Sequence, residues 1–130
     1  MVREYLHMNV YDAFLVRMHF LFEEFDNIYV SFSGGKDSGL LLNLVLDYRN
    51  QYYPERTIGV FHQDFEAQYT LTTEYVERTF ERIKDQTEPY WVCLPMATRT
   101  ALSSYEMYWY PWDDTCLLYT SPSPRDMRRS

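Results

Sequence analysis

Six consecutive residues, Ser33, Gly34, Gly35, Lys36, Asp37 and Ser38, have types and spacing suited to holding an oxyanion. Two glycines let the backbone take positive φ and let a ligand approach with no Cβ in the way. Ser33 and Ser38 offer hydroxyl donors, and Lys36 offers a point charge. The stretch follows the apolar run NIYVSF and opens the leucine-rich block SGLLLNLVL, so it lies where a strand gives way to a helix. The first amides of such a helix have no intrahelical acceptor and face outward from its N-terminus, which makes a ready phosphate site. Asp37 is the odd member, because a carboxylate beside polyphosphate repels it unless it caps the helix, pairs with Lys36 or helps hold Mg²⁺. The cap is the favoured role.

A second constellation, His62, Asp64 and Glu66, follows the run TIGVFH. Alternate residues at the end of a strand share one face, so a nucleotide contact by His62 or Asp64 and a plain turn with a helix cap are equally good readings. A transition-metal site is the weakest, and no metal ligand is assigned. Arg78 and Arg82, one helical turn apart beside Glu77 and Glu81, read as a solvated face. Cys93 falls in an apolar run and reads as an inert core thiol rather than a nucleophile.

The elements that must position these groups alternate along the chain. Asn9 caps a predicted helix with Val10, Phe14, Met18, Leu21 and Phe25 along its apolar stripe. Its acidic end, Glu23, Glu24 and Asp26, is unfavourable for the helix dipole and leaves that boundary open. Strands are predicted at 27–32, 57–62 and 89–95. Between them come an apolar helix from Ser38 that stops by Pro54, expected to be covered on more than one side, and a helix with Tyr69, Thr73, Val76, Phe80 and Ile83 in one stripe. Strand, helix, strand, helix, strand with short connections predicts right-handed βαβ units and a parallel sheet, hence an α/β fold.

Composition bounds the function. At 130 residues the chain is one domain at most. A net charge of −7 opposes a broad electrostatic footprint on nucleic acid, so a phosphate must be caught by local devices. Cys93 and Cys116 form no metal or disulfide pattern, and no apolar run suits an anchor or secretory leader, which predicts a cytoplasmic protein with no membrane partner. The aromatic run SSYEMYWYPWDD could stack a base, but Asp113 and Asp114 favour packing against further protein. From about Leu117 the chain turns Ser/Pro-rich and basic, in LLYTSPSPRDMRRS. That string resembles a translated sequencing-adapter tail, so residues 116–130 are expected to be non-native or disordered, and residues 1–115 to be the N-terminal part of a longer domain.

Known phosphate loops narrow the reading. A Walker A loop would need glycine at Val30 and Ser or Thr at Asp37, and the dinucleotide GxGxxG is absent. SGGKDS instead resembles the PP-loop of the N-type ATP pyrophosphatases. The stretches EFDNIYVSFSGGKDSGLLLNL, GVFHQDFEAQYTLTTEYVERTF and YWYPWD are similar to the phosphoadenosine phosphosulfate (PAPS) reductase-like proteins that carry a C-terminal region of unknown function, among them the immunoglobulin-binding regulator A proteins. The resemblance runs from Tyr5 to about Asp114. It implies an adenine nucleotide α-hydrolase-like sheet, with ATP or a PAPS-like nucleotide bound through Ser33 to Ser38, Lys36 stabilising charge, and Mg²⁺ as a candidate companion. The reductase cysteine motif, ECGLH-like, is absent here. A nucleotide-binding regulator with a protein partner is the alternative that the same resemblance implies.

Overall fold

A computed structural model of the chain describes residues 5–100 and 104–113. Its elements run α1 (Val10–Glu24), β1 (Tyr29–Ser31), α2 (Lys36–Tyr52), β2 (Ile58–Gln63), α3 (Thr70–Ile83), β3 (Thr87–Val92), and the short strands β4 (Thr98–Arg99) and β5 (Tyr108–Trp109). The first three strands form a parallel sheet in the order β1-β2-β3, with Val30 opposite Val60 and His62 opposite Trp91. The predicted α/β architecture is therefore present. β4 and β5 make a separate antiparallel pair, which two-residue strands in a mixed sequence did not announce. Cys116 and the expectations for residues 116–130 lie outside the described residues.

One apolar cluster joins the helices to a single face of the sheet: Met18 and Phe22 of α1, Leu42, Val45 and Leu46 of α2, Val76 and Ile83 of α3, against Val30, Phe32, Ile58 and Val60. Ile58, Val60 and His62 of β2 point into it and are fully buried. An order that steps one way across the sheet through right-handed crossovers must place both crossover helices on the same side. The opposite face, with Tyr29, Phe61 and Tyr90 around Gly59, stays open as a shallow groove of about 500 Å³. Pro89 sits in β3, an edge strand of this sheet, where a missing amide donor is tolerated.

Several expected core positions shift. In α1 Met18 and Phe22 are buried and the expected Phe14 and Leu21 pack half-buried against the core, while Val10 and Phe25, at the two ends of the helix, are exposed. α2 is covered by two neighbours, α1 and β1, with Tyr48 against Phe22, while Leu40 and Leu41 stay exposed. Tyr69 lies outside α3 at its N-cap position and is exposed, and Thr79 is buried in its place. β3 ends at Val92, so Cys93 follows the strand and is half-buried rather than enclosed.

The acidic end of α1 is stabilised from a distance. Asn9 Oδ1 caps the start of the helix by accepting from Asp12 N at 2.8 Å, but no basic residue lies in its last turn. Instead Arg56, arriving just before β2, donates to the carbonyls of Phe22 (2.5 Å), Phe25 and Asp26 (2.7 Å). Its guanidinium also lies over the rings of Phe22 and Tyr53, 5.0 and 5.7 Å from their centroids. One cation thus supplies both the donors and the positive charge that a helix C-terminus lacks. No helix among the described residues is long and apolar enough to cross a membrane.

Beside Arg56, the Tyr53 hydroxyl donates to Glu23 Oε1, tying the end of α2 to the end of α1. That hydrogen bond, helped by burial, raises the phenol from 10.0 to about 12. A raised acid pKa means that the folded state favours the protonated phenol, so this contribution to stability is complete below pH 10 and is lost as pH climbs towards 12. The unfolding midpoint of the wild-type chain should therefore fall more steeply across that window than that of Tyr53→Phe. Parallel urea titrations over the alkaline range will check it, and equal slopes would refute the link.

Candidate phosphate-binding site

β1 delivers the chain to the site and α2 receives it. Phe32, the last residue before the loop, donates its N–H to Phe61 O at 2.8 Å, which holds the loop at the carboxyl ends of β1 and β2. Phe32 O accepts from His62 Nδ1 at 2.8 Å; because a carbonyl can only accept, that ring nitrogen carries a hydrogen. Gly34 then turns with φ +87°, the backbone region that side chains rarely enter. A Cβ there would come within 2.9 Å of both Thr72 Cγ2 and Val76 Cγ2, so the loop is pressed directly onto α3.

Gly35 is the N-cap of α2, and the helix starts at Lys36. This corrects the expected cap: Asp37 is one residue inside the first turn and exposed, where its charge suits the positive end of the helix but caps nothing. Gly39 N makes the helix's first 4-residue bond, to Gly35 O at 2.9 Å. The amides of Lys36, Asp37 and Ser38 precede it and have no intrahelical acceptor, so they remain to receive an anion. Lys36 is exposed and has no ion-pair partner among the described residues.

The two serines meet across the loop. Ser38 Oγ donates to Gly35 O at 3.1 Å, so Ser33 Oγ, 3.0 Å away, supplies the hydrogen between the two hydroxyls. Ser33 Oγ also accepts from Gly35 N, and Ser38 Oγ from Ser33 N, both at 3.3 Å. The hydroxyls thus hold the loop in shape, and the helix amides with Lys36 are the donors facing outward. For either hydroxyl to donate to a ligand, its hydrogen would have to turn away from its present acceptor.

Beside the loop lies a groove of about 520 Å³ that runs past Ser31 and Ser33 to Phe61, Phe65, Gln68 and Tyr69. Both α2 and α3 present their N-termini to this end of the sheet, so two helix dipoles bring positive potential into an acidic chain. Phe61, Phe65 and Tyr69 give the groove its apolar surfaces, and the last two are well exposed. From the sequence Phe61 is expected in a strand and Tyr69 in the core stripe of a helix, and none of the three as a site residue. Their four-residue spacing in FHQDFEAQY was the available signal, hidden because it crosses from a strand into a turn.

His62 and Asp64 stand behind the groove rather than on its surface, each with no exposed area. His62 packs edge-on against Trp91 at 4.7 Å and Phe80 at 6.4 Å. Asp64 Oδ1 accepts from Glu66 N at 2.7 Å and Oδ2 from Trp91 Nε1 at 3.0 Å, which makes a tight turn braced on β3. Of the alternatives open for this spacing, the turn matches the hydrogen bonds, while Asp64 initiates the turn rather than capping α3, which starts at Thr70. No group of three His, Cys, Asp or Glu side chains that could hold a metal occurs among the described residues.

The segment YPWD closes the turn from outside. Trp112 donates its N–H to Glu66 Oε2 at 2.8 Å and its Nε1–H to Asp64 O at 2.7 Å. Glu66 and Trp112 both take positive φ, 63° and 60°, so each backbone is held in a sparsely populated region by the contact they share. Pro111 and Trp112 of this run dock on this chain, while Tyr105, Tyr108 and Tyr110 are exposed.

Replacing Gly34 with alanine should cost about 2 kcal/mol, since it adds both positive-φ strain and a clash with α3. Gly35→Ala, at φ −81° with a new Cβ 3.4 Å from Ser33 Oγ, should stay within about 1 kcal/mol. Urea unfolding of the two variants side by side is the check; equal losses would mean that the loop does not bear on α3.

No protein-family model matches this chain. It is 38% identical over 109 residues to the uncharacterized protein YbdN of Escherichia coli strain K12. The match takes in 83% of this chain and 26% of that protein, so the chain spans about a quarter of the length of the curated relative.

Proposed function

We propose that Ser33 to Ser38 bind the phosphate end of an adenine nucleotide, ATP or a PAPS-like sulfonucleotide, within a PP-loop domain of the PAPS-reductase-like kind. The observation that supports this most strongly is the loop itself. After β1 the chain turns at positive φ, and three helix amides and an exposed lysine face outward at the carboxyl end of a parallel sheet. Ligands of open α/β sheets bind at that end. The sheet would be the opening part of an adenine nucleotide α-hydrolase-like domain, with the open face around Tyr29, Phe61 and Tyr90 receiving its further elements.

Within this reading the amides take the phosphate oxygens, Lys36 balances their charge, and the aromatic groove beside Ser33 takes the nucleoside. Asp37, exposed in the first turn, is the loop carboxylate that could hold Mg²⁺ carried in on the phosphates. His62 and Asp64 contribute from behind, by fixing Phe32 O and the turn at 64–66 that shapes the groove. Binding is common ground for an ATP pyrophosphatase, a sulfonucleotide reductase and a nucleotide-sensing regulator. Release of pyrophosphate or sulfite by a longer protein separates the enzymes from the regulator.

Lys36→Ala tests the reading, because the residue is exposed and its loss should leave the fold intact. A charge-assisted contact contributes about 1.5–3 kcal/mol, so affinity for ATP or adenosine 3′,5′-bisphosphate should drop roughly tenfold or more by calorimetry. A folded variant that binds both as tightly as wild type would overturn it.

A further inference from the structure

A residue that lines the groove beside the loop holds an acceptor that nothing among the described residues satisfies. Gln68, in the turn before α3, donates Nε2–H to Gln63 O at 3.1 Å. Because that carbonyl can face only an amide nitrogen, the orientation of the carboxamide is determined and Oε1 is the oxygen left over. Oε1 is buried and has no hydrogen-bond partner among the described residues. An enclosed oxygen of this kind is destabilising until a donor reaches it, so it favours whatever ligand brings one.

The surroundings say which donor. Gln68 lines the same groove as Phe61, Phe65 and Tyr69, whose apolar rings suit the flat face of a base, and Ser33 at the start of the phosphate loop lines its other end. Gln63, Tyr69 and Thr72 are polar too, but Gln68 is the lining residue whose enclosed acceptor has no partner among the described residues, beside an aromatic slot. The terminal torsion of glutamine is soft, so the carboxamide can turn Oε1 towards an arriving donor while the backbone stays in place, exchanging its bond to Gln63 O for one to the ligand.

We propose that Gln68 is the residue that selects the base, accepting a hydrogen bond from the exocyclic amino group of a purine nucleotide whose phosphates lie on the Ser33–Ser38 loop. The proposal rests on the nucleotide reading above and names the residue that would enforce its adenine: with Gln68 in place a 6-amino purine is favoured over a 6-oxo purine. A 6-oxo base sets its own carbonyl against Oε1, leaving two acceptors facing each other with no hydrogen between them. Sites that hydrogen-bond one substituent reject the analogue lacking it far better than apolar pockets reject a change in size.

The test is a comparison of ATP with ITP, which differ at that substituent, on the whole 130-residue chain by calorimetry. Wild type should prefer ATP by about tenfold or more, the equivalent of one satisfied hydrogen bond. Gln68→Leu should bring the ratio close to one while changing ITP affinity little, and Gln68→Met, nearer in length, repeats the measurement should the leucine variant fail to fold. Lys36→Ala serves as the contrast: it should weaken both nucleotides and keep their ratio. A wild-type ratio near one, or a ratio unchanged by either Gln68 substitution, overturns the assignment while leaving phosphate binding standing. Absence of binding by both nucleotides to folded wild type overturns it together with the nucleotide reading.

Discussion

At Gly34 the backbone passes so close to α3 that Thr72 and Val76 leave no room for a methyl group, and φ of +87° excludes a side chain on conformational grounds as well. The direction in which the chain leaves β1, and therefore the direction in which the amides of α2 face, follows from that contact. It also sets the width of the groove, because Thr72 is both the residue pressed by Gly34 and part of the groove wall. A loop packed this way is positioned by a helix that begins more than thirty residues later in the chain, so the site exists only once β2 and α3 are in place.

Behind the loop, two buried polar residues do the work of alignment. His62 holds Phe32 O through Nδ1, and Asp64 holds both the turn at Glu66 and the indole of Trp91. These bonds bind β1 to β2 and β2 to β3 at the carboxyl end of the sheet, the end where backbone pairing runs out. Enclosed polar groups are destabilising unless satisfied, and satisfied networks hold a single geometry. Trp112 adds an outer brace, with its indole on Asp64 O and its amide on the Glu66 carboxylate.

The electrostatics follow the same economy. A chain with a net charge of −7 has no general attraction for a phosphate, and the local positive potential at this end of the sheet comes from helix amides, two helix N-termini and Lys36. The opposite problem, at the C-terminus of α1, is solved by Arg56, whose three carbonyl contacts replace the basic last turn that the helix lacks. In both places the backbone's unsatisfied groups decide where a charge is needed.

The local order of elements could be read from the chain alone, because a turn, a glycine pair or a periodic apolar stripe acts over a few residues. α1, β1, α2, β2, α3 and β3 all occur where their patterns lie, and SGGKDS spans the junction from strand into helix, its last three residues forming the first turn of α2. What needed the tertiary structure was every property that depends on residues far apart. Asp37 could not be separated from Gly35 as the cap without knowing where the helix begins, and Tyr69 could not be told from a core residue until α3 met the sheet. The buried state of His62 and Asp64 depends on Trp91 and Trp112, and the groove depends on Phe61 and Gln68 being folded towards Ser33. Periodicity reports which side of an element is apolar; only packing decides which part of that side is covered, and by what.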